Sequence, residues 1–244
     1  MTGALPAAAA GTADRAGGRR ALVGHDDGHP VHMAYDEAGD PASPVHVLLL
    51  HGLFDHRGTW RAVTPVLAGA GFHVVAPDLI GFGDSSRPAF ASTPPDGRYG
   101  VDAQVGFLRA WIRQLPGDEW ILVGNSLGGG LALRSLCTPW PDGPRVRGLV
   151  LEDAAGYNQA LPGCVRALAD WPGRLLLSRG VFALALRVGL VRAMAHATFR
   201  EVFHDRRKIP QDLVDRAVDI LRVPGTLRAY REASRNLIPG DIAT

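Results

Sequence analysis

The chain is expected to fold as an α/β protein, a mostly parallel sheet flanked by helices, on three observations. Four short apolar runs, Val45–Leu50, Phe72–Ala76, Trp120–Val123 and Val146–Leu151, have the composition of strands covered on both faces. Between them lie stretches whose apolar residues recur at helical spacing, and alternation of strand and helix requires crossover connections and hence parallel pairing. Beyond Asp153 the strand-like runs stop, and every periodic segment from about Gln159 to Leu237 reads as helix.

Taken in order, residues 1–20 are rich in Ala and Gly and read as a flexible tail. The basic residues there follow the short Ala7–Ala10 run instead of preceding it, which is the wrong order for a secretory signal. Val31–Glu37 alternates weakly and is read as an edge strand ended by the Gly39-Asp40-Pro41 turn. Thr59–Ala68 is expected to be a helix presenting Trp60, Val63, Val66 and Leu67, and Val101–Leu115 a second amphipathic helix. Leu175–Ala195 is the most apolar long segment. Because Arg179, Arg187 and Arg192 interrupt it, it is read as a buried or pocket-lining helix and not as a membrane span. Pro210 opens a further helix with Leu213, Val214, Ala217, Val218 and Leu221 on one face. Another follows Pro224-Gly225 with Leu227, Tyr230 and Leu237 as its stripe. The expected organisation is a tail (1–20), an α/β core (21–155), a helical cap (156–238) and a short end (239–244).

Formal net charge is +2, from 26 basic and 24 acidic residues, so no global field argues for a nucleic-acid partner. The charge is uneven: Gln159–Ile238 holds fourteen Arg or Lys against seven Asp or Glu. Such a lobe would suit anionic substrates or a membrane surface, and equally a solvated Arg-rich helical face. Cys137 and Cys164 lack the spacing of a disulfide framework or a zinc site, so no metal is expected and a cytoplasmic location fits.

The chemistry centres on Gly124-Asn125-Ser126-Leu127-Gly128-Gly129-Gly130, where an apolar run breaks into glycines around one serine and then into Leu131-Ala132-Leu133. A serine on a sharp strand-to-helix turn is held exposed, and the glycines two before and two after it let strand and helix approach closely. Ser126 is the candidate nucleophile; the competing reading is a serine that only caps the helix.

With His51-Gly52-Leu53-Phe54 and Pro77-Asp78-Leu79-Ile80-Gly81-Phe82-Gly83-Asp84-Ser85, that segment resembles three motifs of the α/β-hydrolase superfamily, in order and each ending an apolar strand. The resemblance covers Val31 to Leu237. It implies the α/β-hydrolase fold with a helical cap inserted after the strand ending near Asp153. It further implies an oxyanion hole from the backbone N–H groups of Leu127 and Leu53, His51 as a brace of the oxyanion loop, and Asp78 as an anchor of the loop after its strand. Gly52, Gly124 and Gly128 support the site. Some relatives carry the acid that orients the catalytic histidine where Asp153 stands; most carry it one strand later. The family pattern continues with two more strands bearing an acid and a histidine, whereas this chain stops near Asn236-Leu237-Ile238-Pro239-Gly240, so the chain is expected to be truncated relative to the family, with an uncovered sheet edge through which it could associate. His196 and His204 lie in the cap and could reach Ser126 only through its docking.

The expected function is therefore that of a serine hydrolase acting on an ester or similar acyl bond of a small apolar substrate, with no cofactor. Two alternatives stand beside it. Gly124-Asn125-Ser126 also resembles hydrolases that cleave carbon–carbon bonds in aromatic ring-cleavage products, and a chain without the triad histidine could be a catalytically impaired fragment or a ligand-binding module. Haloalkane dehalogenases and epoxide hydrolases, which share the first two motifs, carry Asp where this chain has Ser126.

Overall fold

A computed structural model describes residues 18–94, 97–155 and 178–236. Six strands form one sheet in the order β1-β2-β4-β3-β5-β6: β1 (Arg19–Asp26), β2 (His29–Ala38), β3 (His46–Leu50), β4 (His73–Pro77), β5 (Glu119–Asn125) and β6 (Arg145–Glu152). The pairs β4·β3, β3·β5 and β5·β6 are parallel, while β1·β2 and β2·β4 are antiparallel. The expected mostly parallel α/β sheet is what forms. All five residues of β3 and of β4 are buried, as strands covered on both sides must be.

Alternation along these strands divides the core in two. Leu48, Leu50, Val75, Trp120 and Leu122 face α2 (Val101–Ile112) and α3 (Leu127–Cys137), meeting Val105, Leu108, Trp111, Leu131 and Ala132. Val47, Leu49, Val74 and Ala76 face the other way, toward Trp60 and the partly buried Leu67 of α1 (Thr64–Gly69). Adjacent residues pointing to opposite faces is the period-two geometry of a strand.

Several elements differ from the expectation. Val31–Glu37 is not an edge strand: it lies inside β2, flanked by β1 and β4. β1, with the polar sequence RRALVGHD, forms the edge and starts at Arg19, inside the stretch assigned to the tail; residues 1–17 lie outside the described residues. The missed signal is Asp27-Gly28, a two-residue hairpin loop with both φ values positive (47° and 81°), the turn that matches strand twist. The expected Thr59–Ala68 helix is broken into a 3₁₀ turn, Arg57–Trp60, and α1, because Pro65 lacks an N–H and suits only a first turn. Of its four stripe residues Trp60 is buried, whereas Val63 and Val66 are exposed.

The Leu175–Ala195 segment is also not one buried helix in the part described. It is two helices, α4 (Arg179–Arg187) and α5 (Leu190–Val202), bent by 79° at a break containing Gly189 (φ 75°). No single helix among the described residues is long and apolar enough to cross a membrane. Phe182, Ala185 and Val191 pack with Val218 of α6 (Gln211–Arg222) in a small cluster of their own. α7 (Thr226–Asn236) behaves differently: Ala229, Tyr230 and Ala233 are buried in the main core beside α2 and the loop after β4. Leu237, expected in its stripe, lies outside the described residues.

At the lower end of the sheet, away from the loops that follow β3 and β5, His46 and His73 are both fully buried and place Nδ1 against Nδ1 at 2.6 Å. Only one proton fits between those atoms. His73 Nε2 meets Glu37 Oε1 at 2.7 Å, and His46 stacks on Trp120 at 5.0 Å. Burial, and then the neighbouring His73, hold the His46 imidazole below its usual pKa. A histidine with a depressed folded-state pKa resists protonation that the unfolded chain accepts, so stability is full above about pH 6.5 and falls as pH drops below it. The expected slope is up to about 1.4 kcal/mol per pH unit for one proton. Urea midpoints between pH 7.5 and 5 measure it, and His46→Gln should flatten the profile.

Candidate active site

Strand register assembles the site. Leu50 pairs with Gly124, so the next residues, His51-Gly52 after β3 and Asn125-Ser126 at the end of β5, lie side by side. Asn125 pairs with Glu152, which sets Asp153 next to Ser126 on the other side. All lie at the carboxyl ends of parallel strands, the end at which open α/β sheets bind ligands.

Ser126 adopts φ 48°, ψ −113°, a strained conformation for a residue with a side chain, and bridges β5 directly to α3. Its N–H donates to Glu152 O at 2.8 Å, and its carbonyl accepts from Ala155 N at 2.8 Å and Gly130 N at 3.2 Å, so the end of β6 and the first turn of α3 hold the strain in place. The side chain makes no capping hydrogen bond to α3, and the residue is half-buried. The capping alternative therefore has no hydrogen bond to support it.

The flanking glycines are required by close approach. A Cβ at Gly124 would stand 2.4 Å from the backbone of Gly128 and Gly129, and one at Gly128 only 2.3 Å from Leu50 O. At Gly129, which the sequence motif also includes, a Cβ would meet Ala154 at 2.5 Å. A Cβ at Gly52 would lie 2.9 Å from Asn125 Oδ1 and 3.5 Å from Ser126 Cβ, which places the loop after β3 against the serine. In that loop Leu53 is half-buried, and at the start of α3 Leu127 is buried. The N–H groups of Leu53 and Leu127 make no hydrogen bond among the described residues.

His51 is fully buried and uses both ring nitrogens: Nδ1 lies 2.7 Å from Gly52 O, and Nε2 accepts from Leu79 N at 3.0 Å. That pattern assigns the ring proton to Nδ1 and ties the loop after β3 to the loop after β4. Asp78, also fully buried, accepts from Arg57 N at 2.6 Å, from Asp84 N at 2.7 Å and from the Arg57 guanidinium. A Cβ at Gly83 (φ 48°) would stand 2.0 Å from Asp78 Cγ, so the loop folds around this carboxylate. Asp153 has φ 44°, is exposed, and meets no imidazole among the described residues. His196 is half-buried and His204 exposed; neither makes a hydrogen bond to Ser126.

Two groups at the site were missed in the sequence. Arg57 is buried and serves three carboxylates, Asp78, Asp36 at 2.9 Å and Asp84 at 3.0 Å. Burial opposes its charge, but Asp78, Asp36 and Asp84 together outweigh that and hold the guanidinium protonated. Asp84 also binds Arg216 of α6 at 2.6 Å; although burial pushes its carboxyl up, Arg216 and Arg57 hold it below the usual range. Tyr230 of α7 is the second. Its ring meets Phe54 at a tilt (4.7 Å) and stacks on Phe82 (5.3 Å), and Phe82 meets His51 edge-on at 5.7 Å. Burial pushes its hydroxyl pKa up. Arg57 carried no sequence signal of its own and Tyr230 only that of an apolar stripe, since the role of each is defined by partners far along the chain. Among the described residues no cluster of three His, Cys, Asp or Glu could hold a metal.

Against known proteins, residues 45–203 match the family described as alpha/beta hydrolase fold. The chain is 48% identical over 108 residues to epoxide hydrolase A of Mycobacterium tuberculosis, covering 41% of this chain and 32% of that protein. It is 47% identical over 122 residues to 2-hydroxymuconate semialdehyde hydrolase of Pseudomonas sp. strain CF600, covering 49% and 40%. The chain thus spans under half the length of these two relatives. The structure superposes on 2-hydroxy-6-oxo-6-phenylhexa-2,4-dienoate hydrolase from Rhodococcus sp. strain RHA1 with a TM-score of 0.66 at 24% identity, over 91% of this chain and 72% of that one.

Proposed function

The chain belongs to the alpha/beta hydrolase fold family, and we propose that within it Ser126 is the nucleophile of a hydrolase attacking an ester or similar acyl bond in a small apolar substrate. The observation that carries this is the strained Ser126 backbone, with a hydroxyl committed to no capping role and the Leu53 and Leu127 N–H groups beside it making no hydrogen bond among the described residues. In the proposed reaction Ser126 Oγ bonds to the acyl carbon, the carbonyl electron pair moves onto oxygen, and Leu53 and Leu127 N–H receive that oxyanion. A donor so placed contributes about 3 kcal/mol in the best-measured case. The amino end of α3 adds a favourable dipole.

The serine proton needs a base. His51 is not available for it, because both its nitrogens are occupied. Asp153, next to the elbow, is the candidate acid to orient whichever imidazole approaches. A fluorophosphonate probe tests the assignment. We expect slow labelling of the 244-residue chain at Ser126, at least tenfold acceleration by added imidazole acting as the base, and none in Ser126→Ala. Labelling that survives Ser126→Ala, or no labelling with imidazole present, would overturn it.

One observation favours a second reading, carbon–carbon bond cleavage of a ring-cleavage product: the likeness to the semialdehyde hydrolase above, together with Asn125, whose side chain abuts the loop after β3. Turnover of a dienoate substrate but not of an aryl ester, by a preparation in which Ser126 labels, would select it.

A further inference from the structure

α4 is apolar over two adjoining faces, and among the described residues only one of them has a partner. Phe182 and Ala185 pack against Val191 and Val218, while Val181, Leu184 and Val188, spaced three and four apart on the adjoining face, are exposed. Leu184 is 62% and Val188 67% accessible. Across the bend the exposed surface continues with Leu190 and Met194 of α5. The charge on the two helices is mostly of one sign, Glu201 near the end of α5 being the one acid in either. From residue 179 to 200 the sequence contains four arginines and no Asp or Glu, and Arg187, Arg192 and Arg200 are exposed. Arg192 is paired with Asp215 of α6; Arg187 and Arg200 form no ion pair among the described residues. The basic run Arg206-Arg207-Lys208 follows α5 and is also exposed.

We propose that α4 and α5 form a docking face for an anionic lipid surface, on which the two helices lie in the plane of the interface with Val181, Leu184, Val188, Leu190 and Met194 inserted among the acyl chains. Helices with one face of large apolar side chains and a cationic rim bind bilayers in this way, through buried apolar area plus attraction to anionic headgroups. The 79° bend decides between lying on a membrane and crossing one: neither helix alone spans, and the angle turns the pair out of a single line. A docking protein would need complementary acid, and would not by itself favour five exposed aliphatic side chains flanked chiefly by arginine. This face is independent of the serine chemistry, so its test does not depend on any activity.

The test is flotation of the 244-residue protein with vesicles of phosphatidylcholine alone and of phosphatidylcholine carrying phosphatidylglycerol. We expect binding to the anionic vesicles that weakens as salt is raised, and at least tenfold weaker binding to the neutral ones. Leu184→Glu with Val188→Glu should reduce binding at least tenfold, with an unchanged circular dichroism spectrum because both side chains are solvent-facing. Arg187→Glu with Arg200→Glu leaves the apolar face intact and should abolish the preference for anionic lipid, which keeps the proposal testable if the first pair misfolds. Failure to float with either vesicle overturns it. So does unchanged binding by a folded variant of either pair, or a sedimentation shift in the Leu184/Val188 variant without loss of lipid binding, which would make the face a self-association surface.

Discussion

Arg57→Met is expected to lower the unfolding free energy by about 3–5 kcal/mol, a large part of the 5–15 kcal/mol typical of a domain. The reason is what it leaves behind. Asp78 is fully buried, and without the guanidinium its charge keeps, among the described residues, the two backbone donors Arg57 N and Asp84 N. Asp84 would lose one of its two arginines and Asp36 its buried partner. Removing one member of a buried ion cluster costs far more than replacing the whole cluster. The double variant Arg57→Met/Asp78→Asn should therefore recover part of the loss, since a neutral amide in place of the carboxylate leaves no charge stranded. Chemical denaturation measures both; a loss under about 1 kcal/mol for Arg57→Met would mean the cluster is solvated and not structural. Because Asp84 also holds Arg216 on α6, the same variant should loosen α6 first, visible as faster amide exchange there than in α2.

Gly128→Ala is expected to slow fluorophosphonate labelling of Ser126 by at least about 100-fold while destabilising the fold by about 1–3 kcal/mol. The added methyl would stand 2.3 Å from Leu50 O, 2.6 Å from Leu50 C and 2.8 Å from His51 O. These are backbone atoms of β3 and of the turn after it, so they cannot swing aside as a side chain could. α3 must retreat from β3, taking the Leu127 N–H and Ser126 away from the Leu53 loop. Gly106→Ala in α2 is the control: its Cβ meets nothing within 4 Å, and the change should be neutral or stabilising by up to about 1 kcal/mol. Equal labelling rates for the two alanine variants would show that the close approach at Gly128 does not set the serine's geometry.

Much of the fold was legible because its signals are local. Apolar runs of five or so residues identified β3, β4, β5 and β6 to within a residue or two; β3 and β4 are covered on both faces as expected, whereas β5 is fully buried only at alternate positions and β6, at the sheet edge, has no buried residue, Val150 and Leu151 being exposed. β1 escaped because an edge strand is half solvated and carries charge, leaving only the Asp27-Gly28 turn to announce it. The α4–α5 segment misled because its composition is that of a buried helix, whereas Val181, Leu184, Val188, Leu190 and Met194 are exposed.

By itself the sequence determined the strands β3 to β6 and the residues of the serine turn, because glycine spacing and hydrophobic runs act over a few residues. It determined neither the Arg57 cluster nor the aromatic stack of Phe54, Tyr230 and Phe82. Arg57 reaches Asp78 across 21 positions and Arg216 reaches Asp84 across 132, and nothing in a charged residue's neighbours along the chain says which carboxylate it will meet. Strand register decides that: pairing Leu50 with Gly124 and Asn125 with Glu152 sets the loops side by side, and only then do charge and ring contacts select their partners.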